Sequence, residues 1–301
     1  MSGELERAAA LIREGRLVAF PTETVYGLGA NALDAAAVGR IFTVKGRPST
    51  SPLIVHVASI EMARELASVW PDAAQRLAER HWPGPLTLVV PKQPHVPDTV
   101  TAGLQTVGLR MPAHPMALEL IRRSGVPIAA PSANVFMQLS PTSAEHVRAG
   151  LGAAVDMILD GGSTPVGIES TVVSLVGQRP VLLRAGMISR EEIEALIGPV
   201  EVAGSADAGA HAAPGMHARH YSPRTRLVLV RDRAVPARGR GVYLAPGGRM
   251  PAEPQGYAAA LYATLHELDG QGWDWIAVEE PPEEPAWEGI RDRLRRASAR
   301  V

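Results

Sequence analysis

Apolar positions in LERAAALIREG recur at helical spacing and stop at Gly15, and RLVAF then reads as a short strand closed by Pro21. TETVYGLGANA keeps neither period and reads as a loop. The pattern predicts a helix over DAAAVGRIFTVKG, a strand over PLIVHV, and helices over SIEMARELASVW and PDAAQRLAERHW. Short apolar runs bounded by glycine or proline predict further strands at PLTLVV, TVGLRMP, PIAAP, AVDMILDGG, STVVSL and PVLLRAG, with helices at HPMALELIRRSG and SAEHVRAGL. Strands and helices alternating in this way predict an α/β fold with one large mixed sheet.

From residue 199 to about 226 the chain is rich in Gly, Ala, Pro and His and has no sustained apolar period, which predicts a linker. After it, strands TRLVLV, GVYLAP and WDWIAVEE and helices YAAALYATLHELDGQG and WEGIRDRLRRASAR form a second, smaller α/β unit. The expected division is 1–200, a linker or lid at 201–226, and a C-terminal unit at 227–301. The last carries no convergent polar motif, so a structural or lid-positioning role is expected of it.

Composition narrows the chemistry. The 301 residues, 46% apolar, suffice for a full core, and the formal charge of -1 supplies no global field for nucleic acid. No apolar run approaches the ~18 residues of a membrane span, and the N-terminus is charged, so a cytoplasmic protein is expected. With no cysteine, disulfides, thiolate nucleophiles and Cys-zinc sites are excluded. Lysine occurs only at Lys45 and Lys92 and asparagine only at Asn31 and Asn134, which marks these residues as candidates for chemical need.

Gly27, Gly29 and Ala32 match a relaxed dinucleotide pattern, but the next strand ends at His56 where a ribose-binding acid would stand. No Walker-type loop is present, and His217 and His220 lack further ligands for zinc. FTVKGRPSTSPLIVHV has a plain explanation in part: Lys45 closes a helix, Gly46 caps it and Pro48 ends it. Arg47 and the hydroxyls Ser49, Thr50 and Ser51 go beyond capping, and cations two residues apart in a loop can converge on a polyanion such as phosphate. Thr142 and Ser143 read as a helix N-cap, whereas Ser132 and Asn134 follow a strand in a small-residue loop. Thr106, Arg110, Ser170, Thr171 and Arg184 stand at further strand ends, where α/β proteins build their sites.

FPTETVYGLGANA, KGRPSTSPLIVHV, HWPGPLTLVV, GLRMPAHP, APSAN, SPT and GIESTVVSL, in this order, resemble the YrdC-like family and within it the threonylcarbamoyl-AMP synthases. PGMHARHYSP and the smaller unit resemble its two-domain members. The resemblance implies a YrdC-like domain with a large twisted mixed sheet and a concave site, then a linker and a small Rossmann-like domain. It implies a nucleotidyltransferase that joins L-threonine, bicarbonate or carbon dioxide, and ATP into L-threonylcarbamoyl-AMP with release of pyrophosphate. This is the first step toward threonylcarbamoyladenosine beside the anticodon of tRNAs, and downstream tRNA threonylcarbamoyl-transfer proteins are the expected partners.

Carried over by motif, Lys45 and Arg47 are the catalytic cations. Thr22, His56, Arg110, Ala130 and Ser170 form the threonine pocket, with Thr171 adjacent. The resemblance implies that Lys45, Ser49, Thr106, Ser132, Asn134, Ser140 and Arg184 contact ATP and that His220 and Tyr221 act as lid contacts. Magnesium arrives on ATP, with no protein ligand assigned. Ser49 stands where many relatives have a longer amide, and His217 and Ala218 where relatives have Lys-Tyr. The alternative of a different class is an RNA-binding or ribosome-associated protein without synthase activity. The lack of stacking aromatics in basic tracts counts against it, and no strong direct nucleic-acid binding is expected.

Overall fold

The computed structural model describes residues 2–203 and 220–299. Most of the expected linker, including His217 and Ala218, lies outside the described residues.

Ten strands form a mixed sheet: β1 (Val18–Phe20), β2 (Gly27–Asn31), β3 (Ile54–His56), β4 (Leu86–Pro91), β5 (Thr106–Arg110), β6 (Ile128–Ala129), β7 (Met157–Ile158), β8 (Thr171–Ser174), β9 (Val181–Arg184) and β10 (Glu201–Val202). Their order across the sheet is β10-β9-β8-β4-β5-β3-β6-β2-β1-β7. Helices α1 (Ser2–Arg13), α2 (Ala35–Lys45), α3 (Ile60–Leu66), α4 (Asp72–His81), α5 (Asp98–Thr101), α6 (Pro115–Ser124), α7 (Ala144–Gly150) and α8 (Arg190–Ile197) connect them. The apolar face of α2, with Val38 and Ile41, joins the main core with Leu28, Val55 and Leu109 of the strands. Asp34 caps its start by accepting from Ala36 N and Ala37 N, and Gly46 at φ 60° ends it in the left-handed region.

A parallel three-stranded sheet follows, ordered β11 (Arg226–Val230), β13 (Trp275–Glu279), β12 (Gly241–Leu244). Helices α9 (Pro254–Asp269) and α10 (Glu288–Ser298) accompany it. This smaller unit shares a core with the larger one: Val25, Leu139 and Ile168 pack with Leu261, Tyr262 and Ile290.

Three local expectations are corrected. GLGAN within the expected loop is strand β2, antiparallel to both β1 and β6. Glycine obscures its pattern for a steric reason: a Cβ on Gly29 would stand 2.7 Å from Phe20 Cε1 and 2.8 Å from Ile128 Cγ2. Helix α8 is an addition, opened by a capping box between Ser189 and Glu192. Strand β10, inside the expected linker, pairs parallel with β9; Glu201 and Val202 are exposed and leave no hydropathy signal.

Candidate active site

The strand ends beside β3, β5 and β6 open onto one cavity, lined by Thr22, Arg47, His56, Arg110, Ala130, Ser132, Arg184, His220 and Tyr221. Glu23 and Glu169, which the sequence reading did not select, complete its electrostatics. The His56 and Arg110 sites adjoin because β3 and β5 run parallel with His56 opposite Arg110.

Arg110, buried at the end of β5, donates from Nη2 to Glu23 Oε1 at 2.6 Å and from Nε to the Gly84 carbonyl at 3.3 Å. The other Glu23 oxygen accepts from Ala113 N at 2.9 Å. A guanidinium has five N–H groups, so this anchoring leaves Arg110 donors for a ligand carboxylate. Thr22 is fixed by a local turn, donating to the Val25 carbonyl at 2.6 Å and accepting from Thr24 N and Val25 N. Burial, reinforced by the Arg110 charge, lowers the His56 pKa to about 3, so its imidazole is neutral at physiological pH. Its Nδ1 has no hydrogen-bond partner among the described residues.

Arg47 follows the α2 cap, is buried, and donates to the Pro52 carbonyl at 3.3 Å. It forms no ion pair among the described residues, and Phe136 covers it with the ring centroid 5.8 Å from Cζ. Burial lowers its pKa to about 10, which keeps it charged at neutral pH. Arg184 ends β9 and donates from Nε to the Ser170 carbonyl at 3.0 Å and from Nη2 to Ser170 Oγ at 3.1 Å. Lys45 lies behind the cavity wall. Its ammonium donates to the Ser132 carbonyl at 2.6 Å, to the Asn134 carbonyl, and to Asn134 Oδ1 at 3.4 Å. Burial, with Arg47 nearby, pushes its pKa well below the ordinary lysine value.

The other expected residues divide by position. Ser170 is buried behind Arg184, sharing a 2.8 Å hydrogen bond with Thr87. Thr171 donates to the Ile188 carbonyl at 2.9 Å. Ser140 donates to Glu169 Oε1 at 2.5 Å, one residue behind the cavity wall. Asn134 faces a neighbouring cavity with His146 and His266, and Thr106 faces another with Pro52 and Val172. Ser49 is exposed on the turn after α2. His220 packs against Tyr221 with ring centroids 4.0 Å apart, and both are buried.

The cavity therefore gathers three buried arginines, two carboxylates each held by an arginine, several hydroxyls and two imidazoles, of which that of His56 is neutral. Such a set has the charges to hold an anion and a small zwitterion side by side, and among the described residues it contains no nucleophile aligned with a base. Among the described residues no cluster of three His, Asp or Glu is set to hold a metal ion, and no helix is long and apolar enough to cross a membrane.

Comparison with known proteins follows the same outline. The profile of the Sua5, YciO and YrdC proteins, described as "Telomere recombination", matches residues 10–186, and that of the "Threonylcarbamoyl-AMP synthase, C-terminal domain" matches residues 188–299. The chain is 45% identical to a threonylcarbamoyl-AMP synthase of Pyrococcus abyssi, over 97% of this chain and 93% of that protein. It is 44% identical to one of Bacillus subtilis, over 98% of this chain and 93% of that protein. The crystal structure of Pyrococcus abyssi Sua5 complexed with L-threonine superposes with a TM-score of 0.92 at 43% identity, covering 99% of this chain and 95% of that one.

Proposed function

The chain belongs to the Sua5/YciO/YrdC family in its two-domain form, and from that membership we propose that it is a threonylcarbamoyl-AMP synthase. The amine of L-threonine, carboxylated by bicarbonate or carbon dioxide to a carbamate, attacks the α-phosphorus of ATP. A new P–O bond forms to the carbamate oxygen, the bond to the bridging oxygen breaks, and pyrophosphate leaves. The enzyme is thus a nucleotidyltransferase, and tRNA threonylcarbamoyl-transfer proteins take up its product in the cytoplasm.

The observation that carries this reading is the convergence of Arg47, Arg110 and Arg184 on one cavity beside the neutral His56. In the proposed arrangement Arg110, oriented by Glu23, clamps the threonine carboxylate, with Thr22, His56 and Ala130 around the side chain. Arg47 and Arg184 neutralise phosphate oxygens as charge shifts to pyrophosphate. Lys45 acts through the loop of Ser132 and Asn134, which its ammonium fixes from behind. Ser170 backs Arg184, Ser140 backs Glu169, His220 and Tyr221 close the mouth, and Ser49 and Thr106 contact the outer nucleotide. Glu23 and Glu169 are each committed to an arginine, which suits a magnesium ion carried on the phosphates rather than by the protein. Catalysis on this reading is positioning and charge stabilisation.

Incubation with labelled bicarbonate, ATP and L-threonine tests the proposal. Label appearing in an adenylate only when threonine is present supports it. No labelled adenylate from folded protein, together with tRNA retention that weakens steeply with salt, supports the RNA-binding alternative instead.

A further inference from the structure

Arg293 of α10 is fully buried, although it belongs to the C-terminal unit. Its guanidinium reaches across to the catalytic unit in a fork. Nε donates to Glu169 Oε2 at 2.6 Å and Nη2 to the Glu169 carbonyl at 3.1 Å. Nη1 donates to the Ala185 carbonyl at 3.0 Å and to Asp292 Oδ2 at 2.6 Å. The two backbone points that it grips are the neighbours of Ser170 and Arg184, and Glu169 itself lines the cavity. Tyr262 of α9 adds a 3.2 Å hydrogen bond to Glu169 Oε2, while Ser140 holds the other oxygen at 2.5 Å.

The backbones meet as closely as the side chains. A Cβ on Gly289, one turn before Arg293, would stand 2.6 Å from the Gly186 carbonyl oxygen. One on Gly167 would stand 2.3 Å from the Ala258 carbonyl oxygen in α9. Contacts of this kind fix α9 and α10 against the segments that enter β8 and leave β9. The β8–β9 ladder and the Arg184–Ser170 hydrogen bonds set the separation of these two residues, and α9 and α10 brace it from outside the catalytic unit.

Resting on the synthase reading above, we propose that Arg293 is a positioning residue, through which the C-terminal unit fixes Glu169, Ser170 and Arg184 in register for threonine and ATP. A planar fork is suited to this because one side chain spans two chain segments with fixed geometry, and small misplacements of binding groups weigh heavily on ligand complementarity.

The test uses the full chain. Binding of L-threonine and of ATP is measured by calorimetry, alongside pyrophosphate release, for the wild type, Arg293→Lys, the double variant Arg293→Met with Glu169→Gln, and Gly289→Ala. The double variant removes both charges so that no buried carboxylate is left unpaired. Gly289→Ala keeps every polar group and forces apart α10 and the Gly186 segment that leaves β9. Measured well below each melting temperature, the double variant and Gly289→Ala are expected to weaken both ligands by about tenfold or more, with Arg293→Lys in between. Wild-type affinity in both, whatever happens to the melting temperature, reduces Arg293 to a stability element and overturns the inference. If the wild type binds neither ligand and releases no pyrophosphate, the synthase reading falls and takes the inference with it.

Discussion

Lys45 and Arg47 stand two residues apart, yet the α2 cap sends them to different work. As sequence, a loop of two cations and three hydroxyls suggests one anion, so both cations are expected at phosphate. Instead, Lys45 turns inward to backbone carbonyls while Arg47 lines the cavity. Lys45→Met, which leaves those carbonyls without their donor, should lower stability by about 1–3 kcal/mol in denaturant unfolding. Arg47→Gln should instead raise the KM for ATP by about ten- to a hundredfold, as loss of a charged hydrogen bond does, with little change in melting temperature; an unchanged KM would remove Arg47 from the phosphate site. Glu23 and Glu169 escaped the sequence reading, although acids inside TETVYG and GIESTVV carry a signal: a carboxylate in so apolar a setting needs a cation. Which arginine answers depends on long-range contacts, with Arg293 124 residues from Glu169. His56 adds a pH dependence. Its folded pKa of about 3 lies below the ordinary 6.5, so between these values the unfolded chain binds the extra proton. Its contribution to stability is full above pH 6.5 and is lost as pH falls toward 3. His146, lowered to about 4 by burial, acts in the same sense. Melting curves from pH 7 to pH 4 should fall less steeply in His56→Gln than in the wild type; identical slopes would show that His56 is not buried neutral.

At the scale of elements, periodicity and turn residues made most of the fold legible: α2, α4, α6, α9 and α10, and most of the strands, fall where apolar runs or helical stripes predict them. The misses have separate physical causes. Strand β2 is hidden by glycines that tight packing requires, β10 by exposure of its two residues, and α8 because Ile193 is its only buried residue, despite the capping box in SREE. Since Gly29 is pressed between Phe20 and Ile128, Gly29→Ala should destabilise the protein by about 1–3 kcal/mol through overpacking. The measurement is the urea midpoint, and a midpoint equal to that of the wild type would show that the neighbours yield freely.

Across the whole molecule, the sequence suggested two units joined by a linker, and that picture understates their contact. Besides Arg293, the ring of His146 on α7 stacks on His266 of α9 with centroids 3.9 Å apart, and His266 Nε2 lies 3.1 Å from the Ser140 carbonyl oxygen. No local pattern encodes such an interface, because its residues come from distant segments that are individually ordinary. A shared core and the buried Arg293–Glu169 ion pair couple the units, so calorimetry should show one cooperative unfolding transition; two resolved transitions would mean that the interface contributes little.

Synthase activity is measured as pyrophosphate release from magnesium-ATP in the presence of bicarbonate, with and without L-threonine. A synthase with this site should release pyrophosphate only with threonine and lose that release in Arg110→Gln, whose neutral amide lacks the guanidinium's charge and fork for a carboxylate. Release that proceeds equally without threonine, or none above background from folded protein, would contradict the synthase reading.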